Sequence, residues 1–164
     1  MKALTLTQPW ATLVAVGAKT LETRSWGTRH RGLIAIHAAK EPPADLEALS
    51  RAEPFYTALR HHDGGGGALS VGDSLPRGAI IAIASVTACH RSDSPTVEQL
   101  LRARPRRERR FGDFSSGRWV WVLDDVRQVE SPLPCRGTLG LWEVPESMAA
   151  IVDARTQAAI PHLD

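Results

Sequence analysis

The chain has 164 residues, of which 43% are hydrophobic and 23% are charged, and its formal net charge at pH 7 is +2. This length and composition predict one globular domain with its own core, and they exclude two domains of ordinary size. No apolar stretch approaches the length of a membrane span, and no basic start precedes an apolar leader. We therefore expect a cytoplasmic protein that has no membrane partner.

The basic residues and the cysteines indicate which ligands the protein could bind. Only Lys2, Lys19 and Lys40 are lysines, so 17 of the 20 basic residues are arginine. Arginine grips phosphate with a planar fork and stacks on bases, which suits nucleic acid, although a GC-rich genome would produce the same bias. Cys89 and Cys135 belong to no metal-ligand spacing, so we expect free thiols, no metal site and no cofactor.

The first predicted helix begins at Pro9, whose preset φ suits the first helical position, with Thr7 or Gln8 as the cap. Apolar side chains then recur at helical spacing up to Val16. Gly17 follows at the point where a left-handed residue ends a helix. The helix is therefore expected to end at Val16 or Gly17.

After this helix the period changes to two, which predicts a strand. Leu21 points to one face, Glu22 and Arg24 point to the other, and Lys19 enters from the preceding turn. An ammonium, a carboxylate and a guanidinium are thus expected to meet at one place. Trp26 beside these cations would be a platform for a base or a sugar. The alternative is a solvated strand face that carries weak ion pairs.

These residues carry a resemblance to a known family. The chain resembles the ASCH (activating signal cointegrator 1 homology) domain, whose Gly-x-Lys-x-x-Glu-x-Arg signature is matched by Gly17, Lys19, Glu22 and Arg24. Further segments resemble the family in the order in which they occur there. One begins before the signature, at Gln8, and the others begin after it, at Leu75, Phe111 and Cys135. The resemblance implies a PUA-like fold, which is a small β-barrel of about five to six strands with peripheral helices and a cleft between barrel and helix.

The region after the signature contains a second set of candidates. Residues 33–39 predict a strand that is covered on both faces, and we interpret His37 within it as a satisfied core group. The alternative brings His37 and Lys40 to the same cleft as Lys19. Two prolines at 42 and 43 open a helix, which a later proline breaks. Residues 61–78 include four consecutive glycines, Gly64–Gly67, and predict a mobile loop.

The second half of the chain predicts a central strand at 79–89, a short helix at 96–104, a long strand at 118–130 and a last strand at 139–144. Residues 104–110 are the most basic run, which is either a solvated face or a source of phosphate contacts. Strands outnumber helices without regular alternation, which predicts the α+β class. We divide the chain into a domain at 1–145 and a helical extension at 146–164 that packs on it.

The first functional hypothesis is binding of nucleic acid or a nucleotide in a basic cleft. Members of the resembled family are implicated in RNA or DNA binding, and RNA is favoured here. Lys19, Arg24 and Lys40 would contact phosphates or base edges, Trp26 would stack, and Glu22 would accept a hydrogen bond from an exocyclic amine. His37 is a further candidate at this site.

The alternative hypothesis is an enzyme in which Lys19 and Glu22 are catalytic. Some small ASCH proteins are amidohydrolases that act on acetylated cytidines, but Glu22 stands where the threonine of that mechanism would be. Other members are linked to ribonuclease activity, for which Lys19, Glu22, Arg24 and His37 would be acid, base and phosphate-stabilising groups. A third hypothesis is a protein-interaction domain of an assembly like that of a transcription coactivator.

Overall fold

A six-stranded sheet organises the protein in a computed structural model that describes residues 1–60 and 71–157. The strands are β1 (Lys2–Leu6), β2 (Leu21–Arg24), β3 (Gly32–Ala38), β4 (Ala79–Arg91), β5 (Trp119–Pro134) and β6 (Leu141–Glu143). Their order across the sheet is β2-β5-β4-β3-β1-β6. β1 and β3 pair in parallel, and the other neighbours pair antiparallel.

Helices surround this sheet. They are α1 (Trp10–Ala15), α2 (Leu46–Arg51), α3 (Phe55–Leu59), α4 (Val71–Ser74), α5 (Pro95–Arg102), a 3-10 helix (Arg106–Phe111) and α6 (Glu146–Gln157). The sheet curls into a half-barrel whose edges are β2 and β6. The predicted α+β class and PUA-like architecture are confirmed. No helix within the described ranges has the length and apolarity that crossing a bilayer requires.

Strand alternation divides the core between the two faces of the sheet. Leu4 and Ile36 belong to the cluster inside the half-barrel, together with the fully buried ring of Trp121. Their neighbours in sequence point the other way, where Ala35 joins a second cluster that is covered by Val152 of α6. Burying one such leucine or isoleucine stabilises the fold by about 1.5–3 kcal/mol. The alternating pattern therefore fixes which residues face the interior.

The turn after α1 sets the position of the signature residues. Gly17 adopts a φ of +72°, as the sequence predicts for a residue that ends a helix. The amides of Ala18 and Lys19 both donate to the carbonyl of Leu13, at 2.9 and 3.0 Å. α1 itself begins one residue later than predicted, because Pro9 is its cap. The chain thus turns tightly and directs the Lys19 side chain inward.

The basic run folds as the 3-10 helix, and one acidic residue within it points into the protein. Glu108 is buried, and its Oε1 accepts hydrogen bonds from the amides of Thr20 and Leu21, both at 2.8 Å. Arg104 adds a hydrogen bond from Nε to Thr20 Oγ1 at 2.7 Å. The remaining arginines of the run, 106, 107, 109 and 110, are exposed. The run is therefore attached to the start of β2.

Two regions differ from the predicted elements. The predicted loop at 61–78 contains the helical turn α4, while residues 61–70, including Gly64–Gly67, lie outside the described residues. β5 continues to Pro134, four residues beyond its predicted end, because its C-terminal part pairs with the start of β4. α6 packs on the sheet through Met148 and Val152.

Replacing Glu108 by Ala should lower the free energy of unfolding by about 3 kcal/mol, since two amide groups at the start of β2 would lose a charged acceptor. Glu98→Ala is the matched control, because its carboxylate pairs with Arg102 and Arg109 at the surface. That change should leave the free energy of unfolding nearly unchanged, because water and salt screen a pair at the surface. Urea unfolding measures both values, and equal losses would contradict the anchoring role of Glu108.

Candidate functional site

A cleft of about 420 Å³ lies where the end of β1 and the start of α1 meet β2 and the segment after the 3-10 helix. We name it the Glu22 cleft. Its lining combines apolar rings, one carboxylate from β2, and arginines from three separate elements. The lining residues are Leu6, Thr7, Trp10, Glu22, Thr23, Arg24, Arg110, Phe111, Gly112, Asp113 and Arg118.

Glu22 lies at the centre of the signature residues. Its Oε2 is 3.3 Å from the Nζ of Lys19, and its Oε1 is 3.5 Å from Nη1 of Arg24. The carboxylate is therefore held between an ammonium on the inner side and a guanidinium on the outer side. The three groups lie together as the sequence predicts. The structure also shows that the carboxylate lies between the two cations.

Lys19 is fully buried and does not line the cleft. Its Nζ donates to the carbonyls of Leu21 at 2.5 Å and Phe111 at 2.9 Å, in addition to its ion pair with Glu22. Two of its three N–H donors are thus used by backbone carbonyls, and the charge of the ammonium is paired with the Glu22 carboxylate. In this geometry Lys19 orients Glu22 and joins β2 to the cleft wall, and its full burial separates it from a ligand in the cleft.

Arg24 faces the cleft, with 25% of its side chain exposed. Its guanidinium carbon lies 5.8 Å from the centre of the Trp26 ring, within cation–π range. Trp26 itself packs edge-to-face on Trp121 at 4.8 Å, and its carbonyl accepts a hydrogen bond from Trp121 Nε1. Trp26 is absent from the cleft lining, so it supports Arg24 from behind.

The cleft contains functional groups that sequence reasoning did not identify. Arg118, at 32% exposure, places its Nε 3.4 Å from Oδ2 of Asp113. Hydrogen bonds from Ser115 lower the pKa of Asp113, and the Arg118 guanidinium lowers it further, so this carboxylate is ionised near neutral pH. Trp10 contributes an aromatic wall. Nothing in the local sequence marks Arg118, whereas Arg110 belongs to the basic run already considered for phosphate contacts.

A row of side chains extends from the cleft across the sheet. Arg24 of β2 is paired with Trp119 of β5, which is paired with Arg91 of β4. Directly paired residues of antiparallel strands project to the same face. Arg91 lies 5.3 Å from the centre of the Trp119 ring, and the backbone of Gly27 packs against the same ring. The row therefore carries two arginines that aromatic rings hold in place.

His37 and Lys40 line a different cavity of about 830 Å³, which we name the His37 cavity. His37 is buried, with Nδ1 at 3.3 Å from Thr5 Oγ1 and Nε2 at 3.1 Å from the carbonyl of Cys135. Burial lowers the pKa of His37, although the Cys135 carbonyl opposes this effect, so the ring is neutral near pH 7. The structure does not bring His37 and Lys40 to the Glu22 cleft.

Nowhere in residues 1–60 and 71–157 do three or more His, Cys, Asp or Glu side chains form a group that could hold a metal ion. Cys89 and Cys135 are both free thiols. The carboxylates of the Glu22 cleft are instead paired with arginines.

Replacing Lys19 by Met should lower the free energy of unfolding by about 3–5 kcal/mol, because a buried carboxylate and two carbonyls would lose their common partner. The double variant with Glu22→Gln should recover part of this loss, since residue 22 then carries no buried charge. Lys2→Met is the matched control, because Lys2 pairs with Glu143 at the surface. Urea unfolding that gives equal losses for both single variants would refute this role of Lys19.

His37 should make stability depend on pH. Because burial lowers the folded-state pKa of His37 below its ordinary value of 6.5, the unfolded chain binds the proton more readily. The contribution is complete above about pH 6.5 and is lost as the pH falls through the folded-state pKa. The free energy of unfolding, measured from pH 7.5 to pH 5, should fall more for wild type than for His37→Gln. Parallel curves would show that the assignment is wrong.

Comparison with known proteins places the chain in a family. The ASCH domain model matches residues 4–133. Activating signal cointegrator 1 of Homo sapiens and that of Mus musculus are each 26% identical over 144 residues, covering 86% of this chain and 22% of the relative. The chain thus spans about a fifth of the length of these curated relatives.

Solved structures agree at the level of the fold. The crystal structure of ASCH from Zymomonas mobilis aligns over 94% of both chains with a TM-score of 0.53 and 13% identity. A mutant form of that protein aligns over 94% of this chain and 97% of its own with a TM-score of 0.52. The family match covers most of the chain, includes the Lys19–Glu22–Arg24 signature and agrees with the observed fold: the chain belongs to the ASCH domain family.

Proposed function

We propose that the protein binds nucleic acid, with RNA favoured over DNA, or a nucleotide, in the Glu22 cleft. The observation that carries this proposal is the convergence of Arg24 and Arg118 on one cleft, each beside a carboxylate that positions it. Arg110 lines the same cleft from the basic run. Guanidinium groups that are held in this way form planar forks suited to phosphate oxygens.

Each cleft group has a separate role in the proposed complex. Arg24, Arg110 and Arg118 contact phosphates or base edges, and the Trp10 ring supplies an apolar wall beside a base. Glu22 presents a fixed carboxylate that accepts a hydrogen bond from an exocyclic amine. Lys19 acts through Glu22 by orienting it, rather than by touching the ligand.

The row Arg24–Trp119–Arg91 supports a single strand as the ligand. Adjacent strands lie about 4.8 Å apart, so Arg24 and Arg91 are separated by roughly 10 Å across β5. A ligand longer than one nucleotide could leave the cleft along this row and meet Arg91, which Trp119 and Asp93 hold in place. Single-strand binding commonly combines such a basic track with aromatic side chains.

The described geometry gives hydrolysis less support than binding. In the enzyme hypothesis Lys19 exchanges protons with a substrate, but its ammonium is fully buried, donates to two backbone carbonyls and is paired with Glu22. A general acid or base has to reach the proton that it transfers. Amidohydrolase and ribonuclease activity therefore remain alternatives that would require Lys19 to leave these partners.

Three further inferences accompany this proposal. We infer a cytoplasmic location, which the two free thiols of Cys89 and Cys135 suit. We keep the division into a domain at 1–145 and an extension at 146–164, supported by the packing of α6 on the sheet through Val152. Participation in a coactivator-like assembly is a further alternative, suggested by the name of the curated relatives.

The double variant Arg24→Ala/Arg118→Ala should bind a fluorescent single-stranded RNA at least about tenfold more weakly, a loss of about 1.4 kcal/mol. The slope of log K against log salt should flatten by about 0.7 for each phosphate contact removed. Fluorescence anisotropy at several salt concentrations measures both quantities. A DNA strand of the same sequence, measured in parallel, tests the preference for RNA.

Arg127→Ala is the matched control for this experiment. Arg127 lies on β5, is 30% exposed and pairs with Asp125 at 3.3 Å, but it does not line the Glu22 cleft. Its removal should leave affinity and salt slope nearly unchanged. Equal losses in control and double variant would refute the cleft as the binding site. Cleavage of the RNA, or release of acetate from acetylcytidine, would favour the enzyme alternatives.

A further inference from the structure

We propose that the His37 cavity is a second binding site, separate from the Glu22 cleft, for a small organic anion with an apolar body. Its volume of about 830 Å³ lies within the range of 300–1,000 Å³ that is common for small-molecule sites. The proposal uses none of the residues of the Glu22 cleft, so it stands independently of nucleic-acid binding.

The walls of the His37 cavity are mainly apolar or backbone surface. Ala39, Gly78, Pro134, Gly137 and Leu139 all line it. Such a lining with a few convergent polar groups is characteristic of sites for organic ligands rather than for hydrated ions. The apolar body of the ligand would lie against these residues.

The floor of the cavity is a partly buried network of hydrogen bonds among Thr5, His37 and their neighbours. Both nitrogens of His37 have partners in the protein, and Thr5 Oγ1 also contacts the carbonyl of Thr138 at 3.0 Å and Trp142 Nε1 at 3.1 Å. A Cβ at Gly137 would lie 2.4 Å from the His37 ring, so glycine permits this close approach. The floor is thus rigid and uncharged. Its polar atoms already have partners in the protein, so it would contact a ligand through its shape and not through a free hydrogen-bonding atom.

Charge at the rim determines the class of ligand. Lys40 and Arg136 are exposed at the rim, and within the described residues neither has a carboxylate within 4.0 Å. By contrast, Arg24 and Arg118 of the Glu22 cleft each face a carboxylate. Glu41 also lines the cavity, so two cations outnumber one anion there. A carboxylate, sulfonate or phosphate on the ligand would complement this excess.

Leu139 indicates an apolar occupant independently of the charges. Its side chain is 96% exposed, although it lines the cavity and its neighbour Thr138 is anchored by Thr5. Gly140, with φ of +72°, follows directly and turns the backbone towards β6. An apolar side chain is therefore held in solvent at the rim, where a bound apolar group would remove it from water.

A fluorescence titration with anilinonaphthalene sulfonate, an aromatic anion, tests the proposal. The wild-type protein should bind it saturably at one site. Lys40→Ala/Arg136→Ala should weaken that binding at least tenfold, but leave binding of the uncharged analogue N-phenylnaphthylamine unchanged, because only the sulfonate needs the cations. Leu139→Ser should weaken both probes, because it removes an apolar contact.

The control for loss of a cation elsewhere on the surface is Arg127→Ala, which should bind both probes as wild type does. Thermal unfolding of each variant shows whether it remains folded, so that probe binding to a partly unfolded chain is recognised. Absence of saturable binding to the wild type would overturn the proposal. So would an unchanged affinity for the sulfonate in the Lys40→Ala/Arg136→Ala variant, or an equal loss in the control.

Discussion

The buried ion pair between Lys19 and Glu22 is the interaction on which the rest of the candidate site depends. Removing an ammonium from water costs several kcal/mol, and the protein compensates with three oxygen partners, two carbonyls that accept hydrogen bonds from Lys19 and the carboxylate of its ion pair. Two partners belong to β2, and the third is the carbonyl of Phe111, 92 residues later in the chain. One side chain thus joins two walls of the Glu22 cleft and fixes the direction of its carboxylate.

The 3-10 helix that ends at Phe111 places three neighbouring side chains in three different surroundings. Glu108 points inward and accepts hydrogen bonds from the start of β2, Phe111 fills the core, and Arg110 faces the cleft. A 3-10 helix makes this possible because residues three apart share a face, so Glu108 and Phe111 are both buried. The basic run is therefore a structural wall on one side and a charged surface on the other.

The two cavities arise from the alternation of one strand. Thr5 and Leu6 are adjacent in β1, yet Thr5 lines the His37 cavity while Leu6 lines the Glu22 cleft. Successive side chains of a strand project to opposite faces, so a single strand end contributes to both sites. His37 is paired with Thr5 in β3 and follows it to the same face. This explains why His37 is separated from Glu22 despite its place in the predicted site.

Local sequence determined the fold class, the left-handed turn at Gly17, the strand that carries Glu22 and Arg24, and the meeting of these groups with Lys19, because periodicity and turn chemistry act over a few residues. The burial of Lys19, the inward direction of Glu108, the presence of Arg118 in the cleft and the separate cavity of His37 were decided by the tertiary structure alone. Lys19, Glu108 and His37 each depend on a partner roughly 90 or more residues away, such as Phe111 for Lys19 and Cys135 for His37. Arg118 reaches the cleft because the next residue, Trp119, pairs with Arg24 of β2. Strand pairing and long-range hydrogen bonds bring such partners together, and no local sequence pattern predicts which distant residues will meet.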